Sequence, residues 1–383
     1  MSRAALRTGY TLVAAVLISL SWLGCTVDEG ELTAPVELQP DASPQIGQTL
    51  LDLPVVAQDR LDAAIIAQEQ LTDHVLTIPG VVGTAVGVTG NGVPVVKVYV
   101  TTRGISGVPG RTGGVPVVVE VTGEIFALQE VPRAPPPCPP RCPGGGGGGE
   151  EEPPPEDPNP TDRWDRPVPI GVSTGHPSIT AGTIGARVTD DGGNVYALSN
   201  NHVYAASNSA LINDAVIQPG DFDGGSSPAD DIGTLSAFVE IKFDGTNNVI
   251  DAAIALSSTD DLDKATPSDG YGIPKSLTTT ASINQRVIKY GRTTRQTKGR
   301  VDAINATVLV NYGSPGIARF VGQVIIRPGN FSAGGDSGSL IVVEKGGDKL
   351  KPVGLLYAGS SSITVANPIG AVLDAFGVTI DGD

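Results

Sequence analysis

Histidine is scarce in this 383-residue chain, at three residues: His74, His176 and His202. Cysteine is equally scarce, and none of the three lies beyond Cys142. That excludes a disulfide framework for the C-terminal half, whose fold must rest on its packed core. Cys138 and Cys142 can pair across the short loop Pro137-Cys138-Pro139-Pro140-Arg141-Cys142 in an oxidising compartment. No histidine stands beside them to complete a metal site, and no cofactor is expected anywhere in the chain. Basic residues are outnumbered, 25 Lys and Arg against 41 Asp and Glu, for a net charge of −16. This argues against nucleic acid or an anionic membrane surface as the main partner. Long apolar runs are missing apart from residues 11–20, which are too few to span a bilayer comfortably. What the chain has in plenty is glycine (50) and proline (31), with only 4% aromatics, a balance that suits a turn-rich β protein.

Residues 1–25 read as an export signal: Arg3 and Arg7 precede the apolar run, which leads to Ser21-Trp22-Leu23-Gly24-Cys25. This ending resembles a bacterial lipobox, with Cys25 as the lipidated residue, although Trp22 stands where an aliphatic residue is usual. The two outcomes are a lipoprotein anchored to the cell envelope through Cys25 and, after ordinary signal cleavage, a secreted protein. Both lie outside the cytoplasm.

Residues 26–55 are polar with scattered prolines and form a tether. Residues 56–131 form a small α+β domain. Leu61, Ala64, Ile65, Leu71 and Val75 approximate one helical face, and strands are expected at 81–88, 93–101 and 115–121. No reactive constellation is visible there, and His74 reads as a polar helix-end residue. Standing ahead of the remaining domain, this unit is a candidate propeptide, with a spacer or adhesion domain as the alternative. Residues 132–166 are a linker of Pro-, Gly- and Glu-rich pieces that cannot bury a core. From 167 to 383, short apolar runs alternate with Gly, Asn, Asp and Ser turns. Strands are expected at 182–188, 195–199, 215–218, 233–241, 252–256, 286–290, 298–310, 320–326, 340–343 and 351–357, and one helix at 369–376. Such a succession implies a barrel or sandwich pair.

The chemistry centres on Gly334-Gly335-Asp336-Ser337-Gly338, a serine in a glycine turn between two apolar runs. Glycines let the backbone turn tightly and aim N–H groups at a developing oxyanion. The hydroxyl needs a base, and near neutral pH that is usually histidine. His176, before a proline in a loop, reads as surface decoration. His202, in Leu198-Ser199-Asn200-Asn201-His202-Val203, follows a strand that would fix its ring.

Leu-Ser-Asn-Asn-His-Val resembles the histidine motif of trypsin/chymotrypsin-like serine proteases, especially bacterial ones, and the turn at Ser337 resembles their nucleophile motif. Val249-Ile250-Asp251-Ala252-Ala253-Ile254-Ala255-Leu256 is similar to the strand whose aspartate orients the histidine, and the order His, Asp, Ser is the family's. The resemblance implies a chymotrypsin-type double antiparallel β-barrel, the first barrel from 167 to about 270 and the second from about 280. It implies an endopeptidase acting on polypeptides through His202, Asp251 and Ser337, with an oxyanion hole from the N–H groups of Gly335 and Ser337. Asp231, in Asp231-Ile232-Gly233-Thr234-Leu235, is a rival to Asp251, but its surroundings read as a loop. Ser339-Leu340 replaces the usual Gly-Pro after the motif. Phe331 falls where trypsins carry a pocket-floor aspartate, so cleavage after Lys or Arg is not implied; small or apolar residues are. Tyr357, Ala358 and Gly359 would form the edge that pairs with substrate backbone. Ile288-Lys289-Tyr290-Gly291-Arg292-Thr293-Thr294 resembles a hairpin of bacterial relatives, whose charges are expected to be solvated. The cluster Asp221, Asp223, Asp230 and Asp231 is expected to be a surface loop, with calcium binding as the alternative. A catalytically silent relative that binds peptides, or a surface adhesion or scaffold protein, is the rival to the enzyme.

Overall fold

The computed structural model describes residues 58–128 and 159–383, which belong to one compact unit. The expected export signal, the tether and most of the linker fall outside the described residues, and Cys25, Cys138 and Cys142 with them.

Helix α1 (Gln58–Leu76) buries Ala64, Ala67, Leu71 and Val75 at near-helical spacing. They pack on Val81, Val96, Val98 and Val100 of the antiparallel strands β1 (Val81–Val88) and β2 (Pro94–Val100). The same helix face carries Gln68 and Thr72, whose side chains bond Thr84 of β1 at 2.7 and 2.6 Å, so neither polar group is buried unpaired. His74 is exposed in the last helical turn, as expected. The chain continues through β3 (Arg111–Thr112), β4 (Val115–Val121), which runs parallel to β2, and the three-residue β5 (Ile125–Ala127).

The C-terminal part supplies β6 (Ser173–Thr174), β7 (Gly182–Thr183), β8 (Ala186–Asp190), β9 (Val195–Ser199), the single-turn α2 (Asn201–Tyr204) and β10 (Ala215–Ile217). It continues with β11 (Asp231–Phe238), β12 (Asn247–Asn248), β13 (Ala253–Ser257), β14 (Arg286–Gly291), β15 (Arg295–Asn311) and β16 (Ile317–Arg327). It ends with β17 (Leu340–Val343), β18 (Pro352–Gly359), β19 (Thr364–Pro368), α3 (Ile369–Phe376) and β20 (Val378–Ile380). The molecule is mainly β, and the expected double antiparallel barrel is present. The first sheet has the order β10-β11-β13-β9-β8-β20. In the second, β14, β15, β16, β19, β18 and β17 pair in that circular order, because β14 bonds both β15 and β17. Closure leaves that barrel no free edge. Between the two sheets, Ala186, Leu198 and Ile254 of the first pack with Leu340, Val342 and Leu355 of the second.

Two departures from the expected boundaries have physical causes. The first sheet is not completed within residues 167–270: β20, from the C-terminus, pairs with β8 and buries Val378 and Ile380. The strand expected at 182–188 is broken at Gly185, whose backbone lies so close to Gly338 that an added Cβ would stand 2.3 Å from its carbonyl oxygen. The barrel sheet also extends beyond the barrel. β1 runs antiparallel along β15, from Gly83 opposite Val308 to Gly87 opposite Ala303, which joins the α1–β4 layer to it. β5 lies between β15 and β18, parallel to the first and antiparallel to the second.

Candidate active site

His202 sits in α2, one turn beyond the end of β9, and both its side chain and that of Asp251 are almost wholly buried. Its Nδ1 is 2.5 Å from Asp251 Oδ2, and its backbone N–H donates to Asp251 Oδ1 at 3.2 Å. Asp251 enters β13 from a loop held from several sides. Asn200 Nδ2 donates to its carbonyl oxygen at 2.7 Å, and its own N–H donates to Asn367 Oδ1 of β19 at 3.0 Å. The rest of the Ser-Asn-Asn-His run is equally committed. Ser199 Oγ donates to the Thr183 carbonyl at 2.8 Å, and Asn201 Nδ2 to that of Val239 at 2.7 Å. Nε2 of His202 is buried with no hydrogen-bond partner among the described residues.

Tyr312, just past the end of β15, was not singled out from the sequence. Its hydroxyl donates to Asp251 Oδ2 at 2.8 Å, and its ring meets that of His202 edge-on, with centroids 5.9 Å apart. Burial first, and the Asp251 carboxylate second, push its phenol well above the usual tyrosine value. It is therefore a neutral donor throughout the neutral range. No local signal could have found it, because the contact joins residues far apart in the chain. Asp231 does not compete for His202. It lies in β11 opposite Ile217, because the strand expected from 233 begins two residues earlier and takes in Asp231.

The turn 334–338 is packed against the histidine motif. A Cβ on Gly338 would meet Ser199 Oγ and the Thr183 carbonyl at 2.2 Å, and one on Gly182 would meet both the Val203 side chain and the Ser337 carbonyl. Gly335 and Gly338 have φ of +87° and +96°, the left-handed region where only glycine is unstrained. Ser337 is fully buried, and its hydroxyl donates to the Tyr357 carbonyl at 3.2 Å rather than to His202. The turn is fixed through Asp336. Its Oδ1 accepts the N–H groups of Thr293 and Thr294, and its Oδ2 accepts the Ala333 N–H and the Thr294 hydroxyl.

Lys289 Nζ lies 3.2 Å from Asp336 Oδ2, with both side chains inaccessible to solvent. Burial pulls the lysine below its usual pKa, and the carboxylate opposes that shift. Arg292 is also buried and clamps Asp223, with Nη2 2.6 Å from Oδ1 and Nε 2.7 Å from Oδ2. The hairpin charges expected to be solvated are thus internal ion pairs; their partners are far along the chain, which hid the pairing from a local reading. Of the grouped aspartates, Asp223 is held by Arg292 and Ser173, and Asp230 by Arg163. Among the described residues no three His, Cys, Asp or Glu side chains are grouped to hold a metal. His176 is more enclosed than a surface decoration, with Nδ1 2.7 Å from Ser178 Oγ and Nε2 3.2 Å from Asp214 Oδ2.

The edge formed by Tyr357, Ala358 and Gly359 is occupied by β5: Ala127 pairs with Ala358, and Phe126 with Gly359. Phe331 is fully buried in an apolar cluster with Val287, Val301, Ile326 and Leu356, and Leu128 packs against this cluster. The Gly335 N–H donates at 2.8 Å to the carbonyl oxygen of Leu128.

No family model matches the chain, and no curated protein matches it. Solved structures similar to it are bacterial chymotrypsin-like serine proteases. One is described as a glutamic acid specific serine protease, at 23% identity over 56% of this chain and 100% of that one, TM-score 0.39. Thermobifida fusca protease A is 17% identical over 56% of this chain and 100% of its own, TM-score 0.40. A Nocardiopsis protease is 16% identical over 56% and 99%, TM-score 0.39.

Proposed function

We propose that the chain is an exported serine endopeptidase that hydrolyses peptide bonds through His202, Asp251 and Ser337. The observation that carries this reading is the buried His202–Asp251 pair, with Nε2 of His202 left unpartnered and the left-handed glycine turn of Ser337 packed against the histidine motif. In a hydrolysis cycle Ser337 turns about its Cα–Cβ bond from the Tyr357 carbonyl to Nε2, gives up its proton there and attacks the substrate carbonyl. Asp251, accepting from Nδ1–H, fixes the tautomer that leaves Nε2 free to accept, and steadies the imidazolium that forms. Backbone N–H groups of Gly335 and Ser337 stabilise the oxyanion, with no reorganisation at the moment of reaction. His202 then protonates the leaving amine, and water releases the acyl group by the same steps. Export, with or without lipidation of Cys25, belongs to the same proposal and rests on residues 1–25.

The Ser337–Tyr357 hydrogen bond favours one rival, a silent domain that only binds peptides. A fluorophosphonate probe separates the two. The protein, carrying Asp302→Ala to remove the ion pair between Asp302 and Lys97 of the docked residues 58–128, is first cut at a specific protease site inserted in the glycine run 144–149 and then diluted, so that the peptidase part separates. Labelling of this protein, absent once Ser337→Ala or His202→Ala is added, is the expected result. Released, folded protein that stays unlabelled overturns the enzyme reading. Each substitution should cost on the order of 10⁶-fold in kcat, the scale for removing the serine or histidine of such a unit.

A further inference from the structure

Residues 125–128 lie along the candidate active site as a peptide substrate would. β5 runs antiparallel on β18, and the next N–H, that of Leu128, donates to the Tyr357 carbonyl at 3.1 Å. The Leu128 carbonyl oxygen then accepts the Gly335 N–H at 2.8 Å, one of the two donors assigned to the oxyanion. The Leu128 side chain packs against the apolar cluster that contains Phe331, and a Cβ added to Gly359 would stand 3.3 Å from its Cδ1. On its other edge β5 is paired with β15, Ile125 opposite Val310 and Phe126 opposite Asn311. Ile125 and Ala127 are buried while Phe126 is exposed, the alternation of a strand with one face in a groove. A three-residue strand has little stability of its own, so its placement reflects the slot into which it fits.

We propose that this segment is the enzyme's own first substrate, cut at the bond between Leu128 and the residue after it in sequence, Gln129. The proposal rests on the peptidase reading above and gives that site its substrate class: peptides with leucine or a similar aliphatic residue on the acyl side of the scissile bond. Ser337 Oγ adds to the Leu128 carbonyl carbon, and its proton passes to His202 Nε2. The C–N bond to Gln129 breaks as His202 returns the proton to the departing amine, leaving a Leu128 acyl ester on Ser337. Water, deprotonated by His202, attacks the ester, and Ser337 recovers its proton. The products are a Leu128 carboxylate and a new N-terminus at Gln129. Until the product strand leaves, it holds the substrate edge and the oxyanion donor, so residues 58–128 act as an inhibitor in cis.

The experiment uses the chain with residues 26–383, expressed without its signal, as wild type, Ser337→Ala, Leu128→Asp and Leu128→Met. Intact mass and N-terminal sequencing follow the products, and far-ultraviolet circular dichroism checks that each variant folds. Wild type and Leu128→Met should yield a new N-terminus at Gln129, Ser337→Ala should stay whole, and Leu128→Asp should be cut at least ~100-fold more slowly, because its carboxylate would have to enter an apolar pocket. Separated from residues 58–128 by dilution of the cut Asp302→Ala chain, the peptidase should cleave an Ile-Phe-Ala-Leu p-nitroanilide over the Ile-Phe-Ala-Asp analogue by a similar factor. A wild type that labels with fluorophosphonate yet stays whole, or is cut elsewhere, overturns this inference and leaves the enzyme reading standing. A released, folded protein that neither labels nor cuts overturns both.

Discussion

Tyr312 shows how much a single hydroxyl can do in this site. Asp251 accepts from His202 at two points and from the phenol at a third, all in a buried pocket. A hydrogen bond to a buried carboxylate contributes about 1.5–3 kcal/mol. Tyr312→Phe should therefore lower kcat roughly 10-fold, with KM little changed, because the phenol acts through Asp251 rather than on the substrate. A change confined to KM would show that the tyrosine only shapes the cleft. Since burial and Asp251 raise its pKa well above the ordinary value, its ionisation should produce no loss of activity below pH 10. Gly335 makes a different demand. At φ +87°, a side chain there is strained, and its Cβ would stand 2.6 Å from Thr293 Oγ1 and 2.7 Å from Arg292 Nη1. Gly335→Ala should turn the N–H away from the oxyanion position and cost ~10²–10³-fold in kcat, the scale of losing one such donor. Thermal denaturation should show a much smaller change than the kinetics.

Elements whose partners are local, or whose own pattern is strong, were legible before the structure. The runs at 195–199 and 340–343, the helix at 369–376 and the strands flanking Asn91-Gly92 all appear where apolar pattern and turn residues put them. β5 was not legible, since Ile125-Phe126-Ala127 is too short to carry a period and is ordered by edges more than 180 and 230 positions away in the chain. The hairpin at 288–294 failed for a related reason. A lysine and an arginine beside glycine and threonine look solvated until Asp336 and Asp223 are seen to meet them. The motif at Ser337 was readable because glycine, aspartate and serine needed there are adjacent, whereas the support from Tyr312 and Asn367 crosses between barrels. Ion pairs also tie element ends together. The hydrogen bond from Arg286, and then Lys298, hold the Glu344 carboxyl below its usual value; a backbone N–H from Leu211 and His176 do so for Asp214. For Asp230, burial raises the pKa, but the Arg163 and Ser226 hydrogen bonds outweigh it. Each carboxyl has a lower pKa folded than unfolded, so its contribution is complete above the unfolded values of 4.5 and 3.8 and is lost as pH falls through the folded ones. Thermal midpoints should be flat from pH 7 to 5 and fall below about 4.5, and Glu344→Gln should make the acid decline shallower. An unchanged acid slope in that variant would remove Glu344 from the account.

At the scale of the molecule, the part carrying β5 is fastened to the peptidase by more than its last strand. β1 lies along β15, and below that pairing Lys97 sits 2.8 Å from Asp302 and 3.0 Å from Glu120. Arg327 closes the group, 2.6 Å from Glu120 and 3.3 Å from Asp302. Lys97 is almost fully buried, so removing one carboxylate would leave an incompletely paired charge, a cost of about 3–5 kcal/mol where a buried pair is broken. Gln68 adds a bond from Asn305 at 2.9 Å. Cutting after Leu128 should therefore not release the preceding residues. The two fragments should co-elute on size exclusion at micromolar concentration, with cleavage of the leucine p-nitroanilide suppressed. Asp302→Ala belongs to the docking face and touches no reacting group. It should weaken the complex ~10²–10³-fold, so that the same cut chain separates on dilution and gains activity, whereas tight co-elution of cut Asp302→Ala would mean that β5 and the β1–β15 pairing suffice to hold the inhibitor in place.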